Sequence, residues 1–139
     1  MKKLLGIFIS AITIFTLTGC GEKGETVTCT QKEDGTSETY TVTFENDKIT
    51  KAVIESKQTD LSGDELEMAY QMVKFSKSLL SGKEGIKVTT SKGNDSVSAK
   101  MEIDYTKLSD DMKSSLEIDA NSSKKEFIDS MTEEGYTCK

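Results

Sequence analysis

Apolar and polar residues alternate with a period of two in three successive runs, the mark of strands that bury one face. Residues 25–32 place Val27 and Cys29 on one side. Residues 37–45 place Tyr40, Val42 and Phe44 on one side and Thr41 and Thr43 on the other. Residues 48–57 carry Ile49, Ala52, Val53 and Ile54. Asn46-Asp47 suits a two-residue hairpin turn that sets Phe44 opposite Ile49 and Tyr40 opposite Val53, with Glu45 and Lys48 flanking it as an opposite-charge pair. That register leaves Lys51 opposite Val42; the alternative is a bulge that turns Ala52 and Ile54 inward. The first two strands turn at Asp34-Gly35 or at Gly35-Thr36, and either keeps Cys29 on the apolar face.

The period changes over residues 64–81. Leu66, Ala69, Tyr70, Val73 and Leu80 form one stripe with Met68, Met72, Phe75 and Leu79 beside it, which predicts an amphipathic helix with a broad apolar face. Ser62 or Asp64 caps its start, Glu65 and Glu67 favour the positive end of its dipole, and Gly82 suits the position just past its end. Residues 86–92 and 95–105 read as a second hairpin turning at Gly93-Asn94, with Ile86 opposite Met101, Val88 opposite Ala99, Thr90 opposite Val97 and Lys92 facing Asp95. A short helix is expected within 108–116. Ser123-Lys124-Lys125-Glu126 has the spacing of a capping box, opening a helix through Glu134 with Phe127, Ile128 and Met131 inward. Gly135 ends it, and residues 136–138 read as a last short strand. The order β-β-β-α-β-β-α-β predicts an α+β domain, one antiparallel sheet with its helices packed on one face.

Ahead of this domain lie Lys2 and Lys3, the uncharged, largely apolar stretch 4–17, and Leu17-Thr18-Gly19-Cys20. A stretch of fourteen residues falls short of the roughly 20 needed to span a bilayer but matches the hydrophobic region of a signal peptide. The four-residue ending resembles the lipobox of bacterial lipoproteins, in which small residues admit the chain to a peptidase and the cysteine thiol takes a diacylglyceryl group. The expected organisation is therefore a lipoprotein signal peptide over residues 1–19, a lipidated tether over 20–24, and a single domain over 25–139. The membrane is the expected partner of Cys20, through its lipid, with the domain on the extracytoplasmic face; two acyl chains suffice for stable anchoring.

Removing the first 19 residues leaves 16 lysines against 24 acids, a net charge of −8. Such a surface lacks the basic footprint that nucleic acid requires. With no His and no Arg in the chain, Ser-His-Asp and Cys-His arrangements, the common zinc sites and bidentate guanidinium clamps are all ruled out. Only 35% of the chain is apolar, so the core is expected to be thin and a large internal ligand cavity is not. Once Cys20 is lipidated, Cys29 and Cys138 remain; in an exported domain a disulfide is the first reading, with two free buried thiols and a redox pair as the alternatives. Acids cluster at Asp60, Asp64, Glu65 and Glu67, at Asp110-Asp111 and at Glu133-Glu134, yet none supplies the ladder of oxygens that calcium needs. No metal or cofactor is expected. Ser122 and Lys125 show Ser-x-x-Lys spacing, which here reads as a helix cap.

The lipobox, the run Tyr40-Thr41-Val42-Thr43-Phe44 followed by Asn46-Asp47-Lys48-Ile49-Thr50-Lys51, and the ending Phe127-Ile128 with Glu134-Gly135-Tyr136 resemble small bacterial lipoproteins of the YehR type. The resemblance implies a fold and a membrane location; that family has no established activity, so it implies no reaction. The expected function is a non-catalytic binding or structural-interaction module of the cell envelope, meeting an envelope protein or cell-wall component. A ligand-carrying accessory to a transporter and a small carboxylate-based hydrolase are the alternatives.

Overall fold

The computed structural model describes residues 24–116 and 118–139. The expected signal peptide and Cys20 lie outside the described residues, as does the tether up to residue 23.

Strands β1 (Glu25–Glu33), β2 (Thr36–Glu45) and β3 (Lys48–Gln58) form a meander. Helix α1 (Gly63–Leu80) follows, then the hairpin of β4 (Ile86–Lys92) and β5 (Val97–Asp104). A 3-10 turn at Tyr105–Lys107, the short helix α2 (Asp110–Ser115), helix α3 (Lys124–Glu133) and the two-residue strand β6 (Thr137–Cys138) complete the fold. The strands make one six-stranded sheet in the order β4-β5-β3-β2-β1-β6, antiparallel throughout. β5 inserts between β3 and β4, so α1 carries the chain from the middle of the sheet to its far edge. The expected α+β class and antiparallel sheet hold.

The tips of the first two hairpins settle the registers left open. Glu33 pairs with Thr36, so the first turn is Asp34-Gly35. At the second, Asn46 and Asp47 both take positive φ (51° and 60°), as a turn matched to strand twist requires. Phe44 faces Ile49 there, but the register shifts between Thr43 and Phe44, so Tyr40 faces Ile54 rather than Val53, and Val42 faces Ala52. The bulge inserts Thr50 and keeps Lys51 off the apolar face. Desolvating that ammonium would cost more than the ladder bond the bulge gives up.

The β4–β5 hairpin departs from expectation. Ile86 pairs with Ile103, Val88 with Met101, Thr90 with Ala99 and Lys92 with Val97, a shift of two from the alternation-based register. The connection is four residues long, with Gly93 N–H donating to Ser96 O at 2.7 Å, while Asp95 O accepts from Leu61 N–H at 2.9 Å. Asp95 thus ties the approach to α1 instead of facing Lys92. At the other end Asp104 N–H donates to Gly85 O at 2.7 Å, and a Cβ on Gly85 (φ +85°) would fall 2.8 Å from Asp104 O. Only glycine fits that close, left-handed approach.

One sheet face carries the core. Val27, Val42, Ala52 and Ile103 run across it, joined by Cys29, Phe44, Ile49, Tyr105, Leu108, Ile118, Phe127, Met131 and Tyr136. Phe127 of α3 packs on Phe44 with ring centroids 5.8 Å apart, and Tyr136 meets Tyr40 edge-on at 5.4 Å. Burying a ring such as Phe44 contributes about 1.5–3 kcal/mol. The capping box forms as its spacing predicts: Ser123 Oγ accepts from Glu126 N–H, and Glu126 Oε2 accepts from Ser123 N–H at 2.9 Å. The other face alternates outward and is polar.

Candidate functional site

Cys29 and Cys138, drawn from opposite ends of the domain's sequence, are cross-strand neighbours on β1 and β6 and are joined by a disulfide. The flanking Thr28 and Lys139 exchange both backbone bonds, at 3.0 and 2.9 Å. Cys29 and Cys138 therefore occupy a non-hydrogen-bonded position, where strands approach most closely, and their Cα atoms lie 4.0 Å apart. Cys29 is fully buried. This is a structural staple that holds a two-residue strand on the sheet edge.

The remaining sequence-level candidates disperse. Glu67 bonds Lys92 at 2.5 Å and accepts from Gln71 at 2.7 Å, and Lys92 is the first cause holding its carboxyl below the usual range. Asp60 accepts from Thr59 Oγ1, and Asp110 and Asp111 sit in the first turn of α2. The Lys125 ammonium is paired with Asp129 one turn further along α3, so the group that would serve as base in a Ser-x-x-Lys arrangement is held by a carboxylate. Glu67, Asp104 and Glu126 are all held low by hydrogen bonds, the reverse of what a general acid at neutral pH needs. Among the described residues no three of His, Cys, Asp and Glu are grouped to hold a metal.

Three surfaces stand out among the described residues. An open groove of about 1040 Å³ runs between the β2–β3 turn and the segment after α2, lined by the acids Glu45, Asp110 and Asp119, by Lys48 and Lys113, and by Tyr105. On the outward sheet face, Thr26, Thr28 and Thr30 of β1 pair with Thr43, Thr41 and Thr39 of β2, a two-by-three grid of threonines. The third surface is α1.

Helix α1 packs on β4 and β5 and has no buried residue. Leu66, Ala69, Tyr70, Val73 and Leu80 are half-buried, and Tyr70 has the ammonium groups of Lys74 and Lys92 over its ring at 5.5 and 5.4 Å. Met68, Met72, Phe75 and Leu79 are 66, 65, 64 and 59% exposed. At 100° per residue these four fall within about 60° of one another, on the side turned from the sheet. The single broad apolar face expected from sequence is thus two stripes, one packed and one in solvent. The signal was present: the apolar positions of α1 cover far more arc than one side of a sheet can bury.

No family model matches the chain. Among solved structures, the NMR structure of the Escherichia coli YehR protein superposes with a TM-score of 0.64 at 15% identity, covering 85% of this chain and 92% of that one. A protein from Streptococcus pneumoniae TIGR4 gives 0.61 at 18%, covering 100% and 98%. At those identities the likeness is one of fold, which is what the turn and core positions implied. Among curated proteins, the uncharacterised lipoprotein Lmo0207 of Listeria monocytogenes is 31% identical over 111 residues, spanning 78% of this chain and 72% of the relative. Lin0239 of Listeria innocua, also an uncharacterised lipoprotein, is 29% identical over the same length and shares. The chain belongs to the family of small bacterial lipoproteins that includes these two Listeria proteins.

Proposed function

We propose that this lipoprotein is a non-catalytic interaction module of the cell envelope, held at the extracytoplasmic face of the membrane by lipid on Cys20. The observation that carries the reading is the solvent-facing stripe of α1. Single exposed apolar residues are ordinary, but four large ones aligned on one helix face form a patch of the kind that marks an interaction site. The threonine grid supplies a second, polar face suited to an envelope protein or to cell-wall polymer. The groove beside the β2–β3 turn favours a second reading, a ligand-carrying accessory to a transporter, with its acids and lysines set to hold a small polar molecule.

The test compares the full-length chain with its Met72→Lys/Phe75→Lys variant, each recovered from intact envelopes after mild cross-linking. Components held by the first and lost from the second are expected; identical sets would sink the reading. Turnover of a wall, ester, peptide or phosphate substrate that disappears on changing one carboxylate, with folding intact, would overturn its non-catalytic part.

A further inference from the structure

We infer that the groove beside the β2–β3 turn is held at the bilayer surface and takes the headgroup of a zwitterionic lipid, one that carries a primary ammonium beside a phosphate. The inference names the ligand class of the groove reading above, and it rests on that reading and on the anchor at Cys20.

The place where the domain joins its tether selects the membrane as the source. Glu25 pairs with Phe44, so the start of β1 lies beside the end of β2. A Cβ on Gly24 would stand 3.7 Å from Glu45 Cγ, and Glu45 lines the groove. The root of the tether therefore touches the rim of the groove. Gly24 lies four residues beyond Cys20, and a chain of that length reaches at most about 14 Å when fully extended. With lipid on Cys20, the rim cannot leave the headgroup layer by more than that distance. Tethering of this kind raises the effective concentration of lipid at the groove without any added contact.

Charge then selects the headgroup. Glu45 and Lys48 are cross-strand neighbours at the turn, yet neither they nor Asp119 enters an ion pair among the described residues. The groove thus gathers carboxylates and an ammonium that do not neutralise one another. A ligand of one sign would meet a like charge there, whereas a zwitterion answers both. Lys48 and Lys113 supply donors for phosphate oxygens, and Glu45 and Asp119 supply acceptors for an ammonium. A quaternary ammonium is recognised by open aromatic faces, and Tyr105, the one aromatic side chain among the described lining residues, is only 2% exposed. A primary ammonium needs carboxylates instead, and these are present. An anionic headgroup is the poorer ligand, because the described lining holds three acids against two lysines in a domain of net negative charge.

The test reconstitutes the full-length lipidated chain in nanodiscs holding equal parts of phosphatidylethanolamine, phosphatidylcholine and phosphatidylglycerol. Native mass spectrometry then reads which lipid leaves with the protein. Retention of phosphatidylethanolamine over the other two, by roughly tenfold, is expected. Lys48→Glu and Glu45→Lys should each lower it by a similar factor while the Cys29–Cys138 bridge and the circular dichroism are kept. Lys87→Glu, on the edge strand β4, should leave it unchanged. Equal retention of phosphatidylcholine or phosphatidylglycerol, or an equal loss with Lys87→Glu, overturns the headgroup inference. Protein recovered directly from envelopes is read in the same way. A small water-soluble adduct in place of lipid, absent from Lys48→Glu, would overturn the membrane source and leave the groove reading standing; no adduct of either kind would overturn both.

Discussion

The carboxylate of Asp47, at the tip of the β2–β3 hairpin, accepts the backbone N–H of Lys124 in the first turn of α3, at 2.9 Å. One of the helix's orphan donors is thus satisfied by a residue 77 positions away, and the same helix end is drawn to β1 by Lys124 Nζ on Glu25 at 2.9 Å. Asp47→Gly keeps the positive φ of the turn and removes the carboxylate, so it should cost about 0.5–1.5 kcal/mol. Asp47→Ala should cost roughly 1–2 kcal/mol more, because a Cβ is strained at φ 60°. Urea unfolding of the three proteins measures this; wild type and Asp47→Ala both carry a Cβ at this φ, so equal midpoints for these two would refute the cap.

The Cys29–Cys138 bridge closes a loop of 109 positions. In the chain-entropy model such a loop is worth up to about 4–5 kcal/mol. Protein taken from the envelope should contain no free thiol at either position by mass spectrometry. The Cys29→Ala/Cys138→Ala protein should melt well below wild type, and an unchanged melting temperature would show that β6 is held by its backbone bonds alone.

Changing Cys20 to Ala should abolish lipid modification. Cells fed labelled fatty acid would incorporate it into the wild-type band and not into the variant, and equal labelling of both would remove the basis for anchoring at this residue.

Tyr105 is buried and donates to Ile118 O at 3.3 Å. Burial, with Asp119 adding repulsion, pushes its phenol up to about 12. An unfolded tyrosine titrates near 10. The folded state therefore holds the proton over the interval between, and the stabilisation is complete below pH ~10 and lost as pH rises through ~12, at about 1.4 kcal/mol per unit per proton. Tyr136 shifts in the same direction, through burial first and then its bond to Glu38 at 2.5 Å. Unfolding free energy measured across pH 9–12 should fall more gently for Tyr105→Phe than for wild type. Identical slopes would contradict the assignment.

Which residues face inward was largely readable from alternation: Val27, Cys29, Val42, Phe44 and Ile49 were expected on one face and are buried there. Register was less so. The pattern repeats every two residues, so it cannot tell Ile86 opposite Met101 from Ile86 opposite Ile103; the backbone bonds of Gly93, Asp95 and Gly85 decide between them. At the β2–β3 hairpin the misfit of Lys51 announces the bulge, because a charge on an apolar face cannot be left in place.

Local chemistry determined the elements, the caps and the turns, since each depends on a few neighbouring residues: Ser123 with Glu126, Asn46 with Asp47, Gly135 at the end of α3. The composition also determined what chemistry is missing, for a chain without His or Arg cannot build sites that need them. Only the tertiary structure decided that Cys138 lies beside Cys29, that Asp47 caps α3, and that α1 spends one apolar stripe on the sheet and leaves the other in water. The reason is geometric. A helix resting on a sheet buries one side, and how many of its apolar residues fit beneath it depends on where the sheet ends, which no window of sequence contains.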